Sequence, residues 1–343
     1  MKLSVLDQSP MMSGCTPAQA IAETIALAKL ADRLGYHRYW LAEHHNSRVL
    51  ADPCPEILAA RVAAETTRIR VGTGGVLLPY YSALKVAEVF RMLEAMYPGR
   101  IDLGIGRAPG GDQRTAQAVS GGSYDHAADF PAQVADVVGF LDQTLPENHP
   151  HAKVRANPTG ETSPEVWLLG SSDYSAALAS NMGLRFAFAD FIAPGDGDTV
   201  SRAYRNHFLP SKREPAPYSA VGVAVVCAET SEMAERYAKV TDLRRLRRAR
   251  GIEGPFPTLE EAEAYEYSPP EHAYVMQERA RLTSGNPDEV RAKLLALGER
   301  FAADELIIIT GTGDYASRRR SYELIAEAFA LDATPSATKA AMA

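Results

Sequence analysis

What most constrains this chain is an alternation kept up along nearly its whole length: short apolar runs of strand length, each followed by an amphipathic run of helix length. Such a pattern predicts strands joined by helical crossovers, and hence a parallel sheet. The strands read as Lys2 to Asp7, Tyr39 to Ala42, Ile69 to Leu77, Arg100 to Gly106, Glu165 to Leu169, Arg185 to Ala189, Ser219 to Cys227 and Glu305 to Thr310. The helices read as Pro17 to Leu34, Pro53 to Thr66, Ser82 to Met96, Ala128 to Leu145, Tyr174 to Met182, Ser201 to Phe208, Ser231 to Arg250, Pro287 to Phe301 and Ala316 to Ala330. Punctuation supports the frame: Thr16 stands where a helix N-cap belongs, Pro17 at the first helical position and Gly35 just past the end. Eight strands, each followed by a helix, in 343 residues predict a single (β/α)8 TIM barrel. A doubly wound open sheet is the structural alternative.

Three stretches fall outside the rhythm. Arg107 to Gly111 leaves the fourth strand as a loop, and Pro146 to Pro164 is a proline-rich, polar connection. Gly251 to Thr283 is an excursion between strands seven and eight, read as a lid-like insertion over the site rather than a second domain. No linker divides the chain, so residues 1–332 are expected to form one domain, with 333–343 a disordered tail. At 46% apolar residues there is material for a sizeable core. The 43 acidic against 36 basic residues, net charge -7, argue against nucleic-acid or anionic-membrane partners. The three cysteines, Cys15, Cys54 and Cys227, have neither zinc spacing nor a disulfide framework, which suits a reducing cytoplasm. No signal peptide is evident, and no apolar run approaches the roughly 18 residues of a membrane span.

Chemistry concentrates where strands end. The second strand runs out into Glu43-His44-His45, and the C-terminal ends of parallel strands are where α/β folds build sites. Histidine titrates near neutrality, which suits acid–base work. Adjacent residues do not readily wrap one ion and no further ligand set is apparent, so no metal is expected. Gly72, Gly74 and Gly75 in the third strand would let a ligand or a neighbouring backbone approach closely. Gly170-Ser171-Ser172-Asp173 opens a helix; Ser172 and Ser175 there either cap it or donate to an anion. Arg244 to Arg250, at a helix end, reads first as a solvated face favouring the helix dipole, with contact to an anionic substrate or cofactor tail as the alternative. Tyr265, Tyr267 and Tyr274 either line a substrate cavity or pack on the barrel rim.

Taken together, Glu43-His44-His45, the run Val71 to Pro79, the run Gly99 to Arg107, and Gly170-Ser171-Ser172 with Ser175 resemble the bacterial luciferase-like flavin monooxygenases. Within them the chain is most similar to the branch with Gly-Arg-Ala-Pro-Gly after the fourth strand. The resemblance implies reduced FMN at the C-terminal mouth of the barrel, delivered by a separate NAD(P)H:flavin reductase, with O2 adding at flavin C4a and the peroxide oxygenating a small organic substrate. It implies His44 as the catalytic histidine, with His45 turned toward Glu43. It places Gly74 and Gly75, joined by a non-prolyl cis peptide, under the flavin ring, with Gly106, Arg107, Gly170, Ser171, Ser172 and Ser175 also on the cofactor. Arg107 and the serines would hold its phosphate. A homodimer through barrel-side helices is the family habit. Light-emitting members carry a reactive cysteine where this chain has Gly106, which argues against long-chain aldehyde luminescence. The absence of a dinucleotide fingerprint fits an external electron source. Two rivals stand beside this reading: an oxidoreductase using the deazaflavin F420, whose acidic tail would suit Arg244 to Arg250, and a non-catalytic flavin-binding protein.

Overall fold

The computed structural model describes residues 1–107, 112–121, 129–192 and 195–332. All but Arg107 of the loop expected over Arg107 to Gly111, the helix start expected at Ala128 and the tail 333–343 lie outside the described residues.

The strands are β1 (Lys2–Asp7), β2 (Arg38–Leu41), β3 (Arg70–Leu77), β4 (Ile101–Gly106), β5 (Glu165–Gly170), β6 (Arg185–Ala189), β7 (Ser219–Cys227), β8 (Leu282–Gly285) and β9 (Glu305–Ile309). All pair in parallel, and β1 to β7 with β9 close a barrel in which β1 pairs with both β2 and β9, and β9 with β7. The expected TIM barrel is therefore present. The short β8 adds to the upper half of β7, from Ala224 to Cys227, and is not one of the eight barrel staves.

The helices are α1 (Pro17–Leu34), α2 (Pro55–Glu65), α3 (Ala83–Met96), α4 (Gln113–Val119), α5 (Phe130–Asp142), α6 (Asp173–Met182), α7 (Gly197–Asn206), α8 (Ser231–Ala249), α9 (Leu259–Ala264), α10 (Pro269–Arg279), α11 (Pro287–Phe301) and α12 (Tyr315–Phe329). Their ends follow local chemistry. Thr16 and Gln19 form a capping box on α1, which stops at Gly35 with φ of 88°, a left-handed turn that glycine adopts without penalty. One expectation needs correction: the helix expected from Ser201 starts earlier, at Gly197. The excursion Gly251 to Thr283 carries α9, α10 and the start of β8. That segment is tied back to the loop after β1, where Phe256 N–H donates to the Met11 carbonyl at 2.9 Å and Phe256 O accepts from Ser13 N–H at 3.2 Å.

The barrel interior is layered. Near the strand starts, Arg38 sits fully buried with Nη1 2.6 Å from Asp102 Oδ2 and Nε 2.7 Å from Glu305 Oε1. Arg70 joins Asp102 from the next strand, at 2.7 Å. Above this ionic floor lies an apolar layer of Leu6, Trp40, Trp167, Ala187, Ala220 and Ile307, with the two indoles edge to face at 5.1 Å. Trp40 Nε1 donates down to Asp102 at 2.9 Å, tying the layers together. With its interior filled by side chains, the barrel is open to a ligand at its C-terminal mouth rather than through its centre. The larger core lies between strands and helices, with Leu27, Val62, Phe90, Val134, Phe186 and Ile325 all buried. No helix among the described residues is long and apolar enough to cross a membrane.

Candidate active site

A cavity of about 590 Å3 opens above the apolar layer, at the C-terminal mouth. Its wall contains every residue that the resemblance put on the cofactor or in catalysis: His44, Gly74, Gly75, Gly106, Arg107, Gly170, Ser171, Ser172 and Ser175. They come from the ends of β2, β3, β4 and β5 and from the first turn of α6, so barrel closure alone brings them together.

The glycines make room. The Gly74–Gly75 peptide is cis. A Cβ on Gly74 would stand 2.9 Å from Leu6 Cδ1, and one on Gly75 would stand 2.6 Å from Leu169 Cδ1 and 2.7 Å from the Gly104 carbonyl oxygen. A side chain at either position would collide with the barrel interior, so the backbone itself forms this part of the wall.

At the far side stands a set of donors. Ser172 is the N-cap residue of α6, yet its hydroxyl makes no capping bond; it faces Ser175 Oγ at 3.3 Å instead. Helix capping therefore does not account for the serine pair. Gly170 is required beneath it, because a Cβ there would fall 2.0 Å from Ser175 Oγ. Arg107 lies with its guanidinium 4.3 Å above the Tyr174 ring, which holds the cation over the same helix start. Asp173 Oδ1 accepts from Tyr174 N–H at 2.8 Å, so one donor of that first turn is already taken. Two hydroxyls, a guanidinium and a helix N-terminus are the chemistry of a phosphate cradle.

At the end of β2, Glu43 is buried and saturated. It accepts from Leu77 N–H at 2.8 Å and Tyr81 OH at 2.6 Å, and pairs with His45 Nε2 at 2.7 Å. His45 thus faces Glu43, as expected, and His44 faces the cavity. His44 N–H donates to the Asp52 carbonyl at 3.1 Å, which fixes its backbone, while its buried Nδ1 has no partner among the described residues. Burial pushes the His44 pKa down to about 4; the Ala42 carbonyl and Glu43 resist, and the Arg248 and Arg244 cations reinforce it. At neutral pH the imidazole is uncharged, with one nitrogen free to accept or donate.

A family model described as luciferase-like monooxygenase matches residues 1–304. The chain belongs to that family. It is 39% identical to a luciferase-like monooxygenase of Escherichia coli (strain K12), over 94% of this chain and 95% of that one. It is 34% identical to the N-acetyl-S-alkylcysteine monooxygenase of Bacillus subtilis (strain 168), covering 95% and 98% of the two chains. Among solved structures it resembles apo-MsnO8, with a TM-score of 0.90 and 41% identity, over 97% of this chain and 98% of that one.

Sequence reasoning missed two parts of this luciferase-like site. Asp52 supplies the carbonyl behind His44, and Gln8, Phe191 and Ile192 line the mouth. The arginine run divides: Arg244 and Arg245 are half-buried and line a second cavity beside His44, the exposed Arg248 stands at its rim, and Arg250 lies on the solvated face expected of the run. Helical spacing places Arg244 and Arg248 on one side, but periodicity cannot tell whether that side meets water or another wall of the barrel mouth.

Proposed function

We propose that this protein is a flavin-dependent monooxygenase that takes reduced FMN from a separate NAD(P)H:flavin reductase and, with O2, oxygenates a small organic substrate. The observation that carries the reading is the single cavity in which an uncharged His44, the glycine-backed wall at Gly74–Gly75 and the Arg107, Ser172 and Ser175 donors meet. These residues fit FMN: a planar ring requires a wall without side chains, and the donor set matches a phosphate monoester. Gly106, Gly170 and Ser171 complete the same wall. Bound in reduced form, the flavin would supply the two electrons that activate O2, one oxygen atom of which goes to the substrate while the other leaves as water.

The chain's own residues orient, exclude water and manage a proton. Ser172, Ser175 and Arg107 anchor the cofactor's anionic end, while Leu6, Trp40 and Leu169 keep water from the floor. His44, held by the Asp52 carbonyl, presents its imidazole as the group that accepts or returns a proton during oxygen transfer. A homodimer through barrel-side helices, the habit of the family, belongs to the same proposal.

Titration with FMN, photoreduced FMN and F420 in parallel, followed by stopped-flow mixing of the reduced complex with O2, tests this reading. Tight binding of reduced FMN and a transient absorbance distinct from both reduced and oxidised flavin are expected. Binding of F420 alone would replace it with deazaflavin hydride transfer. Tight oxidised FMN without substrate-dependent oxygen uptake would make the protein a flavin carrier.

A further inference from the structure

The arginines that end α8 divide by their partners. Arg245 donates to the Glu278 carbonyl at 2.5 Å, Arg247 lies 3.3 Å from Glu261, and Arg250 lies 2.7 Å from Glu271. Arg244 and Arg248, one helical turn apart, have no hydrogen bond or ion pair among the described residues. Arg244 rests flat over the Phe256 ring at 4.3 Å, which positions its guanidinium without neutralising it.

Both border a second cavity of about 390 Å3. It shares Gln8, His44, Phe191, Ile192 and Arg248 with the flavin-sized cavity, so the two are joined at His44. The carboxylate in its wall, Glu278, is committed to an ion pair with Arg281. Burial draws the Arg244 pKa down to about 10, and its charged neighbours, Arg248 and Arg245, push it the same way. A sheltered guanidinium normally has a carboxylate or several carbonyls around it, because the uncompensated charge is costly. Here the described protein supplies none.

A bound anion would complete the site. The planar guanidinium fork matches a carboxylate with two parallel N–H···O bonds. The cofactor's phosphate already has Arg107, Ser172 and Ser175, which come from the ends of β4 and β5 and the start of α6, whereas this pair comes from α8, after β7. We propose that Arg244 and Arg248 form the carboxylate-binding subsite for the substrate, which is therefore a small organic acid with its carboxylate in the second cavity and its reacting atom beside His44. Only the word substrate rests on the monooxygenase reading; the anion subsite stands on its own geometry.

Calorimetric titration of the full chain, flavin-free and FMN-loaded, with hexanoate, methyl hexanoate and inorganic phosphate tests the proposal. Wild type is expected to bind hexanoate about tenfold or more tightly than the ester, as loss of a charge-assisted bond dictates. R248Q, at an exposed residue whose replacement leaves packing intact, should weaken hexanoate about tenfold, and R244Q likewise, while R244K, which keeps the charge but loses the fork, should fall between wild type and R244Q. R247Q/R250Q, which lowers the net charge further, should leave hexanoate binding unchanged. Equal binding of acid and ester, or full affinity in R248Q, would overturn the subsite. Phosphate bound in preference to hexanoate and lost in R248Q would give the pair to a cofactor tail and overturn it as well. FMN binding on the same samples separates the two readings: hexanoate without FMN removes the monooxygenase and keeps the subsite, and FMN without hexanoate does the reverse.

Discussion

Glu43 and His45, two residues apart at the end of β2, turn back on each other with Nε2 2.7 Å from Oε1, and the same carboxylate holds Leu77 N–H at 2.8 Å. The pair thereby stitches the end of β2 to the end of β3, and leaves the intervening His44 to face the cavity. Glu43→Ala would orphan a buried backbone N–H and the Tyr81 hydroxyl, at a cost of about 2–4 kcal/mol together. Glu43→Gln keeps an acceptor for Leu77 and should lose less than half of that. Urea unfolding of both variants checks the order; equal losses would mean that the carboxylate's role is charge rather than acceptance.

Deeper in the barrel, Asp102 accepts from Arg38 at 2.6 Å, Trp40 at 2.9 Å and Arg70 Nε at 2.8 Å. Removing one partner from a buried ion pair costs about 3–5 kcal/mol because the other charge stays buried. Asp102→Ala should therefore lower the unfolding midpoint far more than loss of an exposed pair such as Arg48–Glu253, whose side chains are 81% and 62% exposed. Thermal unfolding of D102A beside E253A measures the contrast.

That ionic floor also marks where the sequence stopped being readable. The barrel staves were legible because each is an apolar run closed off by caps or glycines, as at Thr16 and Gly35. The site residues were legible because strand ends, glycine pairs and a serine-led helix start carry local signals, sharpened by the resemblance. The floor was not, because Arg38 meets partners 64 and 267 residues away, and a charged residue opening a strand reads as an exposed end until the sheet closes. The signal was nevertheless repeated, with Arg38, Arg70, Glu165, Arg185 and Glu305 each standing first in a strand. The same limit hid the Arg244 and Arg248 face, whose surroundings come from β7, β9 and α10.

If Arg107, Ser172 and Ser175 hold the phosphate, their removal should affect FMN and not riboflavin. Arg107→Ala and Ser175→Ala are each expected to weaken FMN about tenfold, roughly 1.4 kcal/mol, with riboflavin unchanged within a factor of about two. Fluorescence titration of both flavins against each variant decides it. Parallel losses for the two flavins would assign these residues to the ring or to folding.

His44, with its pKa drawn down to about 4 by burial, is neutral throughout the working range. Oxygenation should stay flat as pH falls from 8 to 6 and drop only as it nears 4, where the ring protonates. An acid limb near the ordinary histidine value of 6.5 would contradict the buried, uncharged imidazole. His44→Ala should slow oxygenation about 100-fold while leaving FMN affinity within a few-fold. Stability carries the same sign: the native state disfavours the proton, so the histidine's contribution is complete above 6.5 and is lost as pH falls through about 4.

Asp52, whose carbonyl steadies His44, acts in the opposite direction. Burial raises its carboxyl pKa to about 7; the Cys54 N–H bond at 3.1 Å works against this, and Asp7, Glu56 and Glu43 add to it. The native state therefore holds a proton that the unfolded chain gives up near 3.8, so stability from this group is full below that value and drains away as pH rises toward about 7. Above 7 a charged carboxylate stands buried, with Oδ2 lacking any partner among the described residues. Asp52→Asn keeps an acceptor for Cys54 and cannot ionise. It should match wild type near pH 4 and exceed it by about 1–3 kcal/mol at pH 8, a gap that grows across the interval between. Urea unfolding of the two proteins at several pH values measures that gap. A constant difference would place the titration elsewhere and leave the Asp52 carboxyl ordinary.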